Sequence, residues 1–323
     1  MQFDPDSTQS TVLSAAGAAV AASALAKPSR AKGPLVWLDM DQQELDDAYD
    51  QLVYAPNRDQ VGKRRIANSE RTRAVIGAPQ RVSYGPSEIE KLDIYRTKHA
   101  NAPVNIFVHG GAWRANRGAD YAFLAEPFVN AEAHYVILDF TNVDETAGSL
   151  FPMVEQVRRA VAWVYNNARS FGGDPGRLYL SSHSSGSHLA GCVVTHDWRT
   201  EELPVDILKG AMLGSGMYDL KPVRLSKRSK YVKFTDDMEA ALSPQRHIDK
   251  LHVPLILAHG TFETPEFQRQ TRDFCAAVKA AGKPVELIVG EGYNHFEMLE
   301  TLANPYGLLG RAVFAQMGLT SHI

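Results

Sequence analysis

Four short stretches hold the residue types that acyl transfer needs. They read His109-Gly110-Gly111-Ala112-Trp113, Ser182-His183-Ser184-Ser185-Gly186, His259-Gly260-Thr261-Phe262-Glu263 and Gly292-Tyr293-Asn294-His295-Phe296. The second is a G-x-S-x-G elbow with serine at the first glycine position. Such an elbow exposes its central hydroxyl on a sharp strand-to-helix turn. Ser184 is therefore the candidate nucleophile, against the plainer reading of a Ser-rich turn. Glycines expose backbone N–H groups with no Cβ in the way, so Gly110 and Gly111, with the N–H of Ser185, are candidate oxyanion donors. One such donor is worth roughly 2.7–4 kcal/mol of barrier. His295 is the candidate general base, because a neutral imidazole can take a serine proton near pH 7. Glu263 is the candidate acid, since a loop carboxylate can reach that histidine. The alternative is Glu266, which falls in the first turn of the next helix, where it favours the helix dipole. Asp219 follows a different strand and is expected to brace an insertion.

The remaining histidines compete poorly. His183 lies inside the elbow one residue out of phase, His188 on the elbow helix, and His259 in or just above the sheet. His183, His188 and His196 are spaced by five and eight residues, which forms no H-x-x-x-H pair, so no metal is expected. His109, Trp113, Tyr293 and Phe296 flank the catalytic stretches. They are candidate substrate-binding residues for an aromatic leaving group, with loop brace, core or wall as the competing readings.

The flanking patterns supply elements to hold these groups. Apolar runs at Val104–Val108, Tyr135–Leu138, Leu178–Leu180, Leu208–Leu213, Pro254–Ala258 and Val285–Val289 have the length of buried strands. Helical spacing covers Asp120–Ala131, Met153–Ala168, the elbow segment from Ser185 and Glu266–Ala281. Arg81–Tyr84 and Leu92–Tyr95, parted by Gly85-Pro86, predict an antiparallel hairpin at a sheet edge. Asp39–Tyr54 predicts an N-terminal helix over or beside the site, and Arg58–Val75 a charged loop with a short helix. Alternation of strand and helix implies an α/β fold, a mainly parallel central sheet with helices on both faces. In such a sheet catalytic groups gather at the carboxyl ends of the strands. The chain order nucleophile, acid, histidine is that of the α/β-hydrolase fold.

We expect one domain over residues 34–323, with a basic insertion near 218–244 that partly covers the site. A phosphate- or nucleic-acid-binding role for it is disfavoured by the lack of a Gly-rich cradle. The chain has 323 residues, 44% of them hydrophobic and 22% charged, and a net charge of −3. These values suit a sizeable core and argue against nucleic acid or a membrane surface as partner. Two cysteines, Cys192 and Cys275, read as small hydrophobes. No apolar run reaches the ~20 residues of a membrane span, and no motif calls for a cofactor. Residues 1–33 form an Ala-rich tail in which Val12–Ala26 looks like the h-region of an export signal. Residues 1–26 contain no Lys or Arg, so the charged n-region is missing. Two readings stand, a tail on a cytoplasmic protein, which we expect, and a degenerate export signal. Expected partners are a small molecule with a carbonyl group and, at most, a second copy in a homodimer.

Taken together, the chain resembles a bacterial arylformamidase-like (kynurenine formamidase-like) α/β-hydrolase over about residues 38–318. The likeness rests on Leu45-Asp46-Asp47-Ala48-Tyr49, Tyr84-Gly85-Pro86 with Leu92-Asp93-Ile94-Tyr95, and His109-Gly110-Gly111 with Trp113. It continues through His183-Ser184-Ser185-Gly186, Ser215-Gly216-Met217-Tyr218-Asp219-Leu220, Glu263-Thr264-Pro265-Glu266-Phe267 and Asn294-His295-Phe296. The resemblance implies Ser184, Glu263 and His295 as a triad, with Gly110, Gly111 and Ser185 as oxyanion donors. The chain departs from the family at Ser182, at Glu263, where Asp is usual, and at Phe140-Thr141. The function implied is a serine hydrolase of a small amide, formamide or ester. The alternatives are a general carboxylesterase and a non-catalytic, ligand-binding relative.

Overall fold

The computed structural model describes residues 30–321. The described residues from Leu35 onward form one compact unit, and the Ala-rich stretch of the tail lies outside the described residues. The unit opens on a small antiparallel pair, β1 (Leu35–Trp37) and β2 (Met40–Asp41). Its main sheet has eight strands: β3 (Gln80–Ser83), β4 (Lys91–Tyr95), β5 (Ala102–Val108), β6 (His134–Leu138), β7 (Gly173–His183), β8 (Gly210–Gly214), β9 (Leu255–Gly260) and β10 (Val285–Gly290). The spatial order is β10-β9-β8-β7-β5-β6-β4-β3. Pairing is parallel from β10 to β6 and antiparallel through β4 and β3, so the early hairpin forms one edge.

Successive residues of the central strands point to opposite faces, and both faces are dry. Leu178, Leu180, Leu213 and Leu257 enter one core with Val157 and Val161 of α4 (Phe151–Asn167), Leu189 of α5 (Ser185–Val194) and Phe274 of α8 (Pro265–Ala280). Phe107, Tyr135, Met212 and Ile256 enter the other, with Phe128 of α3 (Ala125–Asn130) and Phe314 of α10 (Leu308–Met317). The observed fold is an α/β-hydrolase fold, a mainly parallel sheet covered on both faces.

Two segments depart from the sequence expectation. The N-terminal helix is shorter, α1 (Gln42–Ala48), capped by Asp41 and followed by a single 3-10 turn at Gln51–Val53. Arg58–Val75, expected as loop with a short helix, is one helix of 19 residues, α2 (Arg58–Ile76). Its apolar residues do not line one face, so helical periodicity is absent, and polar contacts dock it instead. Ser69 Oγ donates to the Asp120 carbonyl (3.0 Å) and accepts from the Phe123 amide (3.2 Å), while Arg73 reaches the Ala119 carbonyl (2.9 Å). Residues 218–246 fold into the short helices α6 (Leu220–Leu225) and α7 (Asp236–Ala241) with intervening 3-10 turns. Asp219 caps α6 and pairs with Arg246 (3.0 Å). Cys192 is buried and Cys275 half-buried, and both are free thiols. No described helix is long and apolar enough to cross a membrane.

Candidate active site

The parallel strands β5, β7, β8, β9 and β10 end at one edge of the sheet, and the turns after them bring the chemistry together. Ser184 occupies the tight turn between β7 and α5 with φ +60° and ψ −130°. That left-handed conformation is costly for a residue with a Cβ, and the packed sheet and helix on either side hold it. Serine in place of glycine at position 182 fits because its buried hydroxyl is satisfied. It donates to the Met212 carbonyl (3.2 Å) and lies 3.0 Å from Ser187 Oγ, which itself donates to the Gly214 carbonyl (2.7 Å).

Ser184 Oγ lies 2.8 Å from His295 Nε2, and His295 Nδ1 lies 2.8 Å from Glu263 Oε2. Facing a carboxylate, Nδ1 is the protonated nitrogen, which leaves Nε2 free to accept from the serine hydroxyl. His295 begins α9 (His295–Glu300), whose N-cap Asn294 accepts from the Phe296 and Glu297 amides. All three side chains are buried. Glu263 accepts three further bonds, from Ser215 Oγ (2.6 Å), the Gly260 amide (2.8 Å) and Gln51 Nε2 (3.2 Å). Glu266 is turned elsewhere, held by both arms of Arg269 (2.6 and 2.7 Å) and by the Tyr49 hydroxyl (2.8 Å).

The glycine loop lies against the elbow. A Cβ on Gly110 would meet Ser184 Cβ and the His183 carbonyl at 2.8 Å. Gly111 has φ +121°, and a Cβ there would sit 2.1 Å from the Ala115 carbonyl. Side chains at these two positions would push the loop off Ser184. Ser185 Oγ accepts from the Trp113 amide (3.1 Å), which ties the loop to the first turn of α5.

Above Ser184 opens a cavity of about 450 Å³. His183, Ser184 and His295 form its floor, with Gly111 and Ala112 beside them. Tyr49, Asp50 and Gln51 make one wall, Val61, Gly62 and Arg65 of α2 another. Lys227, Arg228 and Tyr231 of the insertion and Phe296 of α9 close the rest. Phe296 is thus the one of the four candidate substrate-binding residues that lines the cavity. His109 lies beneath it, stacked on Phe140 with ring centroids 4.4 Å apart, its Nδ1–H donating to the Gly110 carbonyl (2.8 Å). Trp113 is buried edge-on against His188. Tyr293 is exposed and lines a separate surface groove.

Sequence reasoning missed His183, Gln51, Ser215 and Arg228. The His183 ring packs 4.5 Å from that of His295, and its Nε2–H donates to the His295 carbonyl (2.9 Å). Burial holds this imidazole well below the usual histidine range, so it stays neutral beside His295. Ser215, at φ +55° after β8, belongs to a stretch already noted for its resemblance, which is the signal that could have found it. Gln51 and Arg228 carry no local signal. Among the described residues no cluster of His, Cys, Asp and Glu could hold a metal ion.

Comparison with known proteins bears on this geometry. A family model described as BD-FAE matches residues 92–210, a span from β4 through the elbow to β8. A kynurenine formamidase of Danio rerio is 30% identical over 295 residues, covering 87% of this chain and 98% of the relative. The chain belongs to the kynurenine formamidase family. Membership makes it a hydrolase, arylformamidase-like, within the α/β-hydrolases. This formamidase-family chain is also similar to an isoprenylcysteine alpha-carbonyl methylesterase of Arabidopsis thaliana, at 27% identity over 67% of this chain and 56% of the relative. Among solved structures, a thioesterase-labelled protein of Silicibacter sp. TM1040 superimposes with TM-score 0.71 at 23% identity, covering 83% of this chain and 98% of that one. At that identity the likeness speaks to the fold.

Proposed function

We propose that the protein is a serine hydrolase that opens a small amide, formamide or ester through Ser184, His295 and Glu263 and an acyl-enzyme. The observation that carries this is the unbroken relay of 2.8 Å contacts from Ser184 through His295 to Glu263. In the first half-reaction Ser184 Oγ attacks the carbonyl carbon while His295 Nε2 takes its proton. The N–H groups of Gly110, Gly111 and Ser185 receive the developing oxyanion. His295 then delivers the proton to the departing amine or alcohol, and water, activated by the same nitrogen, releases the acyl group and frees Ser184. Glu263 orients His295 through Nδ1–H and stabilises the imidazolium. An N-formylkynurenine-like aryl formamide is the favoured substrate, supported by the family and by a cavity large enough for an aromatic leaving group. A general carboxylesterase is the second reading, favoured by the methylesterase likeness.

The test is labelling with a fluorophosphonate probe together with a hydrolysis panel of N-formylkynurenine, p-nitrophenyl esters and simple anilides. Ser184 should be labelled, and Ser184→Ala should lose labelling and about 10⁴- to 10⁶-fold of kcat. Folded protein that takes up no probe would overturn the serine mechanism and leave the non-catalytic reading. Ester turnover with N-formylkynurenine untouched would leave the esterase reading.

A further inference from the structure

The insertion places an arginine where the chemistry described so far has no use for one. Arg228 lines the cavity above Ser184 yet is only 6% exposed, and no carboxylate among the described residues pairs with it. Its bonds are to neutral groups, the Tyr49 carbonyl (3.1 Å) and the Tyr231 hydroxyl (3.0 Å), and its buried Nε has no partner. The guanidinium lies over the rings of Trp113 (5.3 Å) and Phe267 (5.8 Å). Phe267 in turn packs edge-on against His295 with ring centroids 5.2 Å apart, so one aromatic ring stands between the cation and His295.

A guanidinium taken out of water without a counter-ion is costly, and two aromatic faces offset only part of that cost. The other cations of the cavity differ. Lys227 is neutralised by Asp50 and Arg58 faces Asp59, while Arg65 is half-exposed and bonds Tyr121 and Asn116. The third lining carboxylate, Glu300, is held by Arg64 from outside the cavity (3.0 and 2.7 Å). Arg65 and Arg228 are therefore the lining cations with no carboxylate partner among the described residues, and of the two only Arg228 is buried. We infer that Arg228 is a specificity-determining residue that receives a carboxylate on the substrate. The planar fork of this buried guanidinium matches the planar geometry of a carboxylate. The inference rests on the proposed hydrolase reading and narrows its substrate class to carbonyl compounds with an acidic group. With a formyl acyl group, the acid must belong to the leaving group, since formyl has no position to carry it.

A binding experiment separates this inference from the catalytic reading. Full-length Ser184→Ala protein is titrated calorimetrically with an aryl formamide bearing a side-chain carboxylate, and with its uncharged carboxamide isostere. The carboxylate should bind roughly 10- to 100-fold more tightly, as a charge-assisted bond in a buried site allows. Adding Arg228→Gln should collapse that ratio to near unity, Arg228→Lys should restore part of it, and Arg65→Gln should preserve it. Equal affinity of the two ligands for the Ser184→Ala protein overturns the inference, as does a preference lost with Arg65 but kept without Arg228. Thermal melting of each variant shows that it is folded. Failure of the hydrolase reading would appear instead as absent probe labelling in the unsubstituted protein.

Discussion

Glu263 accepts bonds from four donors, His295, Ser215, Gln51 and the Gly260 amide, and so has no lone-pair direction to spare. A carboxylate is the only side chain of this length that is acceptor on both oxygens. Glu263→Gln keeps the shape but turns an NH₂ toward donors, which disfavours the Nδ1–H tautomer of His295. We expect kcat to fall about 10³- to 10⁴-fold with little change in KM, read from steady-state kinetics. Glu266→Gln is the contrasting case. It breaks a pair with Arg269 that touches no reacting group. The expected loss is about 1–3 kcal/mol of stability, discounted because Arg269 keeps solvent access, with probe labelling of Ser184 retained. If Glu266→Gln abolished labelling and Glu263→Gln did not, the acid would be misassigned.

At the scale of elements, the site depends on α5 lying directly on the end of β5. A Cβ on Gly186 would come 2.3 Å from the Val108 carbonyl and 2.4 Å from the His109 carbonyl, both backbone atoms that cannot rotate away. Gly186→Ala should therefore force helix and strand apart, costing about 1–3 kcal/mol or more and slowing labelling of Ser184. Unchanged melting and labelling would show that the two elements have slack. A milder break is Ser185→Ala, which strands the buried Trp113 amide. It should cost about 1–3 kcal/mol and lower kcat through a loosened glycine loop, measured by denaturant unfolding and by acylation rate.

Across the whole molecule, buried imidazoles tie stability to pH. His109, His183, His188 and His259 are each held below the usual histidine range, foremost by burial. His188, the clearest, is pushed down to about 4. Its Nε2–H donates to the Leu242 carbonyl (2.8 Å) while Nδ1 is buried without a partner, so there is no acceptor for a second proton. With folded values below the unfolded value near 6.5, the unfolded chain binds more protons between the two. Stability from these groups is complete above pH 6.5 and is lost as pH falls toward 4, roughly 3 kcal/mol from His188 alone. Thermal melting should be nearly flat from pH 7 to 8 and fall steeply from 6.5 to 4.5. A midpoint that rose on acidification would contradict neutral imidazoles in the core.

What the sequence determined by itself is the part whose signal is local. An elbow needs small residues around its serine, an oxyanion loop needs glycines, and a strand buried on both faces needs an apolar run. These features put Ser184, Gly110, Gly111 and His295 in order along a mainly parallel sheet. Tertiary structure decided what depends on direction and on distant partners. Glu263 and Glu266 stand three residues apart, and the start of α8 turns one toward His295 and the other toward Arg269 and Tyr49. α2, polar on every side, leaves no periodic trace, yet it walls the cavity because its contacts lie on other elements. Gln51, Ser215 and Arg228 reach the site from three remote segments. Sequence periodicity records which face of an element is buried but not which neighbour it meets, so the brace on Glu263 and the buried Arg228 above Ser184 became visible only in the folded chain.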